Sequence, residues 1–359
     1  MKIEIESLRV LNCGPLRDLQ LDFADPKTRK PRPFTFLAGP NGSGKTTILE
    51  LIVALAEQLD PEKRRYRSVS RRTGFPGASV LDRAEYAQLN LQVDNKPFAV
   101  VSGILPADAE LPERWFGYLS RKGLINQRTR REEGTIGKDI TSKIAQQREL
   151  TQPFVAEGAP FASFPDLLPS IIYLPYLRFL PAVQGTKMEM ENTRYDWVYR
   201  HQDTQKYQGS LNSYLVWLEY SEPSAFNAVQ TLVGTLYPDR KTLYIDRKRL
   251  KVIVRTQDGG EHGLDQLSSG EQNLLIVLID LRRRLLPHSI VLIDEIENSL
   301  HPAFQHRLGQ ALRRLREEIE FQLILTSHAP AFLEIFGADS TLVLPMRQTY
   351  DTTNKAVVA

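Results

Sequence analysis

The chain has 359 residues, 42% of them apolar, 9% aromatic and 25% charged, with a formal net charge of +3; this suits one large α/β domain with insertions, or two domains. A single cysteine, Cys13, excludes an intrachain disulfide and a cysteine-based metal site, reads as a small buried thiol, and points to a reducing cytoplasm. No apolar run approaches the roughly 20 residues of a membrane helix, and the amino terminus lacks the basic-then-apolar order of a signal peptide, so neither membrane spanning nor secretion is expected.

Ile3, Ile5, Leu8 and Val10 alternate with charged or polar residues as in a strand, and Leu19, Leu21 and Phe23 mark a second. After a basic, Pro-rich turn, Phe34 to Ala38 runs apolar into a glycine loop and then a helix from Lys45 that buries Ile48, Leu49, Leu51, Ile52 and Leu55. A basic stretch, Lys63 to Arg72, follows; Leu89, Leu91 and Val93, the Asp94-Asn95 turn and Phe98 to Val101 then read as a hairpin. From 105 onward glycines and prolines recur too closely for a heptad to persist, which excludes a long coiled-coil arm. This segment reads as an inserted, partly helical lobe. Beyond it come a short strand at Ser170–Leu174, helices at Asn212–Glu219 and Phe226–Leu236, and a hairpin spanning Leu243 to Arg255. A helix from Ser269 to Leu286, a buried strand Ile290–Ile293, a helix Ala303–Ile319 and a buried strand Phe321–Leu325 complete a pattern that implies a parallel sheet covered on both faces.

Gly39 to Thr46 matches G-x-x-x-x-G-K-[ST] between a buried strand and a helix, the context the phosphate-binding loop requires. Gly39, Asn41, Gly42, Ser43, Gly44 and Thr47 would frame the backbone cradle, where glycines let N–H groups curl around an anion. Lys45 would reach the β- and γ-phosphates of ATP, and the Thr46 hydroxyl would ligate Mg²⁺. Asp294 and Glu295 end a buried strand at the edge where open α/β sheets bind ligands. Asp294 suits a Mg²⁺ site and Glu295 the polarisation of an attacking water. Ser268, Ser269, Gly270 and Glu271 open the next helix; they read as a capping box and equally as a γ-phosphate site at a helix N-terminus. His328, after the last buried strand, could hydrogen-bond the γ-phosphate or be a structural histidine.

The ordered set Gly-Pro-Asn-Gly-Ser-Gly-Lys-Thr-Thr, Leu-Ser-Ser-Gly-Glu-Gln, Ile-Asp-Glu-Ile-Glu-Asn-Ser-Leu-His-Pro and Thr-Ser-His-Ala-Pro resembles the ABC-type ATPases, in the branch containing RecF, SMC and OLD proteins. The resemblance covers roughly the first sixty residues and the last hundred. It implies an α/β P-loop fold with a mixed sheet flanked by helices, in which 1–104 and 211–359 form a split head and 105–210 the inserted lobe. It also implies a homodimer closed around two ATP molecules. Lys45, Thr46, Asp294, Glu295 and His328 would then act in one subunit, Ser268, Ser269 and Gly270 would complete the site across the dimer, and Asn298 to Leu300 would cross the interface. The glutamine such proteins place near the metal has no clear counterpart in Gln92 or Gln127. The short tail after His328 leaves no room for the Toprim domain of OLD nucleases, so the best match is a stand-alone AAA-type, OLD-like ATPase. That match implies a cytoplasmic switch for a separate effector, in anti-phage defence or genome maintenance.

Two other readings share the ATP chemistry: the energising subunit of a membrane transporter, and ATP as a structural dimer glue, against which Glu295 argues. The basic residues Lys63 to Arg72, with Arg128, Arg130 and Arg131, are either a DNA or RNA contact or a solvated basic loop. Trp115, Phe116, Tyr195, Trp197 and Tyr199 could form a docking surface for the effector or pack the lobe's own core.

Overall fold

The computed structural model of the chain describes residues 1–63, 80–120, 129–132, 134–149, 151–152, 168–184, 193–202, 205–206, 209–237 and 241–344. In chain order the strands are β1 (Ile3–Cys13), β2 (Leu16–Asp22), β3 (Phe34–Ala38), β4 (Tyr86–Val93), β5 (Lys96–Ile104), β6 (Trp115–Ser120), β7 (Thr129–Glu132) and β8 (Thr151–Gln152). They continue as β9 (Ile171–Leu174), β10 (Thr193–Arg194), β11 (Val198–Arg200), β12 (Thr242–Asp246), β13 (Lys251–Arg255), β14 (Glu261–Gly263), β15 (Ile290–Ile293), β16 (Gln322–Thr326) and β17 (Thr341–Val343).

Two six-stranded sheets dominate. The first, ordered β2-β1-β4-β5-β6-β7, is antiparallel except where β5 meets β6. In β1 the buried positions change from odd, Ile3 and Ile5, to even, Leu8 and Val10. A register shift between Ile5 and Ser7 against β4 supplies the extra residue that keeps all four on the same core. The second sheet, ordered β11-β9-β15-β16-β3-β17, is parallel throughout. Its alternate residues divide between two cores, as strand geometry demands. Ile171, Tyr173, Ile290, Leu292 and Ile324 face one, while Ile172, Leu174, Val291, Ile293, Leu323 and Leu325 face the other.

The helix Lys45–Ala56 is buried on nearly every side, including Ile48, Leu49 and every residue from Leu51 to Ala56. A helix that is apolar all round belongs inside a protein, and this one shares a single core with the first sheet and one face of the second. The other face is covered by helices Leu211–Ser221, Pro223–Leu236, Ser269–Leu275 and Pro302–Glu318. Ser210 and His301 accept first-turn N–H groups at two of these helices. The single helix expected from Ser269 to Leu286 contains a π turn at Ile276–Asp280 before resuming at Leu281–Arg284. Among the described residues no helix is long and apolar enough to cross a membrane.

The 105–210 segment, expected as an inserted, partly helical lobe, supplies β6 and β7 to the first sheet and β9 and β11 to the second. β9 falls on the short strand expected at Ser170–Leu174, whereas the dense glycines and prolines hide β6, β7 and β11. Of the two readings of the aromatics there, a docking surface or core packing, burial favours the core: Trp115, Phe116, Tyr195 and Trp197 are all buried. The Trp197 indole donates to the Ala56 carbonyl at 2.9 Å, and the Tyr199 hydroxyl to Asp280 Oδ2 at 2.8 Å. Arg64 to Arg72 and Arg128 lie outside the described residues, as do the side chains of Arg130 and Arg131. The Lys63 ammonium contacts Glu57 at 3.1 Å and the Val198 carbonyl at 3.1 Å.

Candidate nucleotide site

The glycine loop leaves β3 at Ala38 and enters the buried helix at Lys45, so the helix N-terminus opens at the carboxyl edge of the parallel sheet. Gly42 and Gly44 have φ of 77° and 99°, left-handed values that other residues rarely adopt. Asn41 is exposed, Thr46 and Thr47 are half-buried, and Ser43 and Lys45 are buried. Lys45 Nζ donates to the loop's own carbonyls, Gly39 at 2.8 Å and Pro40 at 3.1 Å. Burial lowers the Lys45 pKa below its ordinary value, opposed by the charges of Glu295, Asp294 and Glu297.

Asp294 follows β15 and is fully buried. Thr46 Oγ1 donates to its Oδ2 at 2.8 Å and Thr326 Oγ1 to its Oδ1 at 2.7 Å. The Thr326 hydroxyl also accepts the Glu295 N–H at 2.7 Å. One threonine at the end of β16 thus holds both acids of the turn. Glu295 has φ of +44°, an uncommon conformation for a side-chain-bearing residue. His328 is exposed just beyond β16, and its N–H donates to Glu297 Oε1.

A triphosphate fits this loop. Among the described residues, Ser43 Oγ is buried with no hydrogen-bond partner, and Lys45 is held only by backbone carbonyls that a phosphate could replace. Thr46 and Asp294 form a hard-oxygen pair of the type Mg²⁺ prefers. Among the described residues no cluster of three His, Cys, Asp or Glu side chains could hold a metal alone, so phosphate oxygens and water would supply the remaining ligands.

Ser268 caps the helix Ser269–Leu275 in a complete capping box. Its Oγ accepts the Glu271 N–H at 3.3 Å, while Glu271 Oε2 accepts the Ser268 N–H at 3.0 Å and its hydroxyl at 2.8 Å. Lys241 also pairs with Glu271. Ser268 and Ser269 are exposed, and Gly270 is buried where a Cβ would collide with the Ser299 carbonyl. Among the described residues no hydrogen bond runs from Ser268–Glu271 to the glycine loop or to Asp294. Gln92 lies on β4 and donates to Glu6 at 3.1 Å; Gln127 is outside the described residues.

Four residues at this edge escaped the sequence reading. Thr326 and Glu297 stand inside motifs chosen for their neighbours, and Asn273 lies one turn into the capped helix. Arg178, four residues beyond the end of β9, carries no motif at all, although a lone arginine after an apolar strand is a weak signal of a buried partner.

A family model described as "AAA domain, putative AbiEii toxin, Type IV TA system" matches residues 34–334. The probable ATPase of retron Ec83 from Escherichia coli is 31% identical over 152 residues, 39% of this chain and 27% of that protein. The probable ATPase of retron Vc95 from Vibrio cholerae serotype O1 biovar El Tor is 31% identical over 127 residues, 32% of this chain and 24% of that protein. The chain thus spans about a quarter of the length of these curated relatives. Among solved structures, the SMC head domain from Thermotoga maritima aligns at 13% identity over 92% of both chains, with a TM-score of 0.44. A dimeric bacterial ABC transporter cassette aligns at 14% identity over 95% of this chain and 96% of that one, with a TM-score of 0.35.

Proposed function

The chain belongs to the AAA-domain family matched over residues 34–334, and we propose that it is a Mg²⁺-dependent ATPase whose two copies close head to tail around two ATP molecules. The observation that carries this reading is the meeting of Thr46 and Asp294, 248 residues apart in sequence, at 2.8 Å beside a glycine loop. Lys45 gives up its loop carbonyls to bind the β- and γ-phosphates. Thr46 and Asp294 would hold Mg²⁺, which would offset phosphate charge. Glu295 orients and takes a proton from a water that attacks the γ-phosphorus; the bond to the β–γ bridging oxygen breaks, giving ADP and phosphate. Ser268, Ser269 and Gly270 would complete the neighbour's site, and His328 would hydrogen-bond the γ-phosphate.

The output of this cycle is a switch read by a separate effector, in anti-phage defence or genome maintenance. The likeness to two retron ATPases and the toxin–antitoxin wording of the family support that reading. An OLD-like affinity and a nucleic-acid contact through the basic stretch belong to the same proposal.

The test is Glu295→Gln in the full chain. Fluorescent-ATP binding is expected to persist, ATP-dependent dimers to accumulate in light scattering, and phosphate release to fall ~10²- to 10⁴-fold. Near-normal phosphate release would remove Glu295 from the catalytic role.

A further inference from the structure

The Arg178 guanidinium is almost wholly buried behind the two-acid turn. It donates to the Asp294 carbonyl at 2.6 Å and the Glu295 carbonyl at 2.9 Å, and also to the carbonyls of Leu174 and Pro175 at the end of its own strand. Its Nε donates to Asn273 Oδ1 at 2.7 Å. Asn273 belongs to the helix capped by Ser268, and its amide nitrogen donates onward to the Ile296 carbonyl at 3.2 Å and the Asn298 carbonyl at 2.9 Å. Asn298 in turn donates to the Tyr176 carbonyl at 2.8 Å. Burial lowers the Arg178 pKa to about 10, against the pull of Asp294, Tyr173 and the nearby glutamates, so the group stays charged at neutral pH.

Two buried side chains therefore bind the backbone of the acidic turn to the helix that presents Ser268–Gly270. Every carbonyl from Asp294 to Ile296 is held by one or the other. Gly270 adds a close approach, since a Cβ there would collide with the Ser299 carbonyl, so the capped helix and the segment after the turn are packed together. Interiors this densely hydrogen-bonded move between discrete arrangements and do not deform gradually.

We propose that Arg178 and Asn273 are positioning residues that couple the two ATP sites of the dimer. Engagement of the neighbour's ATP by Ser268–Gly270 shifts the capped helix, and the Asn273–Arg178 pair transmits that shift to the turn that aims Glu295 at this subunit's own ATP. The proposal rests on the composite-site reading above and adds a route by which each site reports its occupancy to the other.

Asn273→Asp is the sharpest test, because it keeps an acceptor for Arg178 and removes the donor to Ile296 and Asn298; Arg178→Lys is the second variant. The readouts are fluorescent-ATP affinity, ATP-dependent dimerisation in a Glu295→Gln background, and phosphate release against ATP concentration. Both variants are expected to keep affinity and dimerisation within about twofold of the parent, while turnover falls about 5- to 100-fold, the usual span of a site-to-site coupling. The Hill coefficient of turnover is expected to drop to about one. Wild-type turnover and cooperativity in both variants would overturn the coupling role. Parallel loss of affinity, dimerisation and turnover would overturn it too, by showing a purely structural role. Failure of the composite-site reading is distinguishable, because the unmodified chain would then show neither ATP-dependent dimers nor cooperative turnover.

Discussion

Asp294 and Ser268 are the polar centres of the two halves of the proposed site, and the protein holds them in opposite ways. Asp294 is fully buried, with both carboxylate oxygens fixed by hydroxyls from β16 and the helix after the glycine loop. Ser268 is exposed, and its hydrogen bonds circle back to Glu271 three residues away. The first half is preorganised by the fold. The second is satisfied locally, so a phosphate arriving at the helix N-terminus must displace or share a bond that the cap already makes. Preorganisation suits the residues that act on bound ATP, whereas a competing cap suits a surface that engages only when another copy arrives.

That contrast can be broken from either side. The largest effect is expected in the preorganised half, where Lys45→Ala removes the charge proposed to meet the phosphates and should abolish measurable fluorescent-ATP binding. Thr326→Val comes next, because it leaves a buried Asp294 oxygen and the Glu295 N–H without their hydroxyl partner. It is expected to cost about 1–3 kcal/mol in denaturant unfolding and to slow phosphate release as well. Gly270→Ala forces a methyl group into the Ser299 carbonyl and should cost about 1–3 kcal/mol by overpacking, with the 298–300 segment losing hydrogen-exchange protection first. Ser268→Ala removes only a cap, about 1 kcal/mol of stability. If the helix start also binds the neighbour's phosphate, turnover falls much further than that loss explains; equal, small losses in both would reduce Ser268 to a cap.

The smallest effect is a pH dependence. Burial raises the Glu271 pKa, but hydrogen bonds from Lys241 and Ser268 outweigh it and hold the carboxyl below its ordinary 4.5. The unfolded chain therefore takes up this proton first as pH falls. The cap's contribution is complete above pH 4.5 and disappears as pH drops through the lowered value. Thermal unfolding from pH 6 to pH 3 should show a shallower decline for Glu271→Gln than for the unmodified chain.

The same division explains what the sequence disclosed. The glycine loop, the Asp294-Glu295 pair and the strands Ile290–Ile293 and Gln322–Thr326 were legible because each is a local pattern, a fixed spacing or an unbroken apolar run. The capping box of Ser268 and Glu271 was legible for the same reason. Arg178 was not, since its role depends on carbonyls 116 and 117 residues away and on an amide 95 residues away. Nor was the place of Ile171–Leu174 inside the parallel sheet, one strand from its edge, which only pairing with β15 and β11 defines. The π turn at Ile276–Asp280 also escaped, because its residues continue the helical apolar pattern without interruption.

The parallel sheet has a consequence for the order in which the molecule is built. β3, which leads into the glycine loop, is bordered by β16 and β17, whose residues begin at 322 and 341. On a chain emerging from the ribosome, the apolar run Phe34–Ala38 therefore has both edges open until nearly 300 further residues have been made. The hairpins of the first sheet, β1 with β2 and β4 with β5, close over short distances and can form early. The nucleotide loop is thus synthesised long before it acquires its sheet neighbours. A nascent chain stalled before residue 322 presents an unpaired strand edge that invites aggregation or a chaperone.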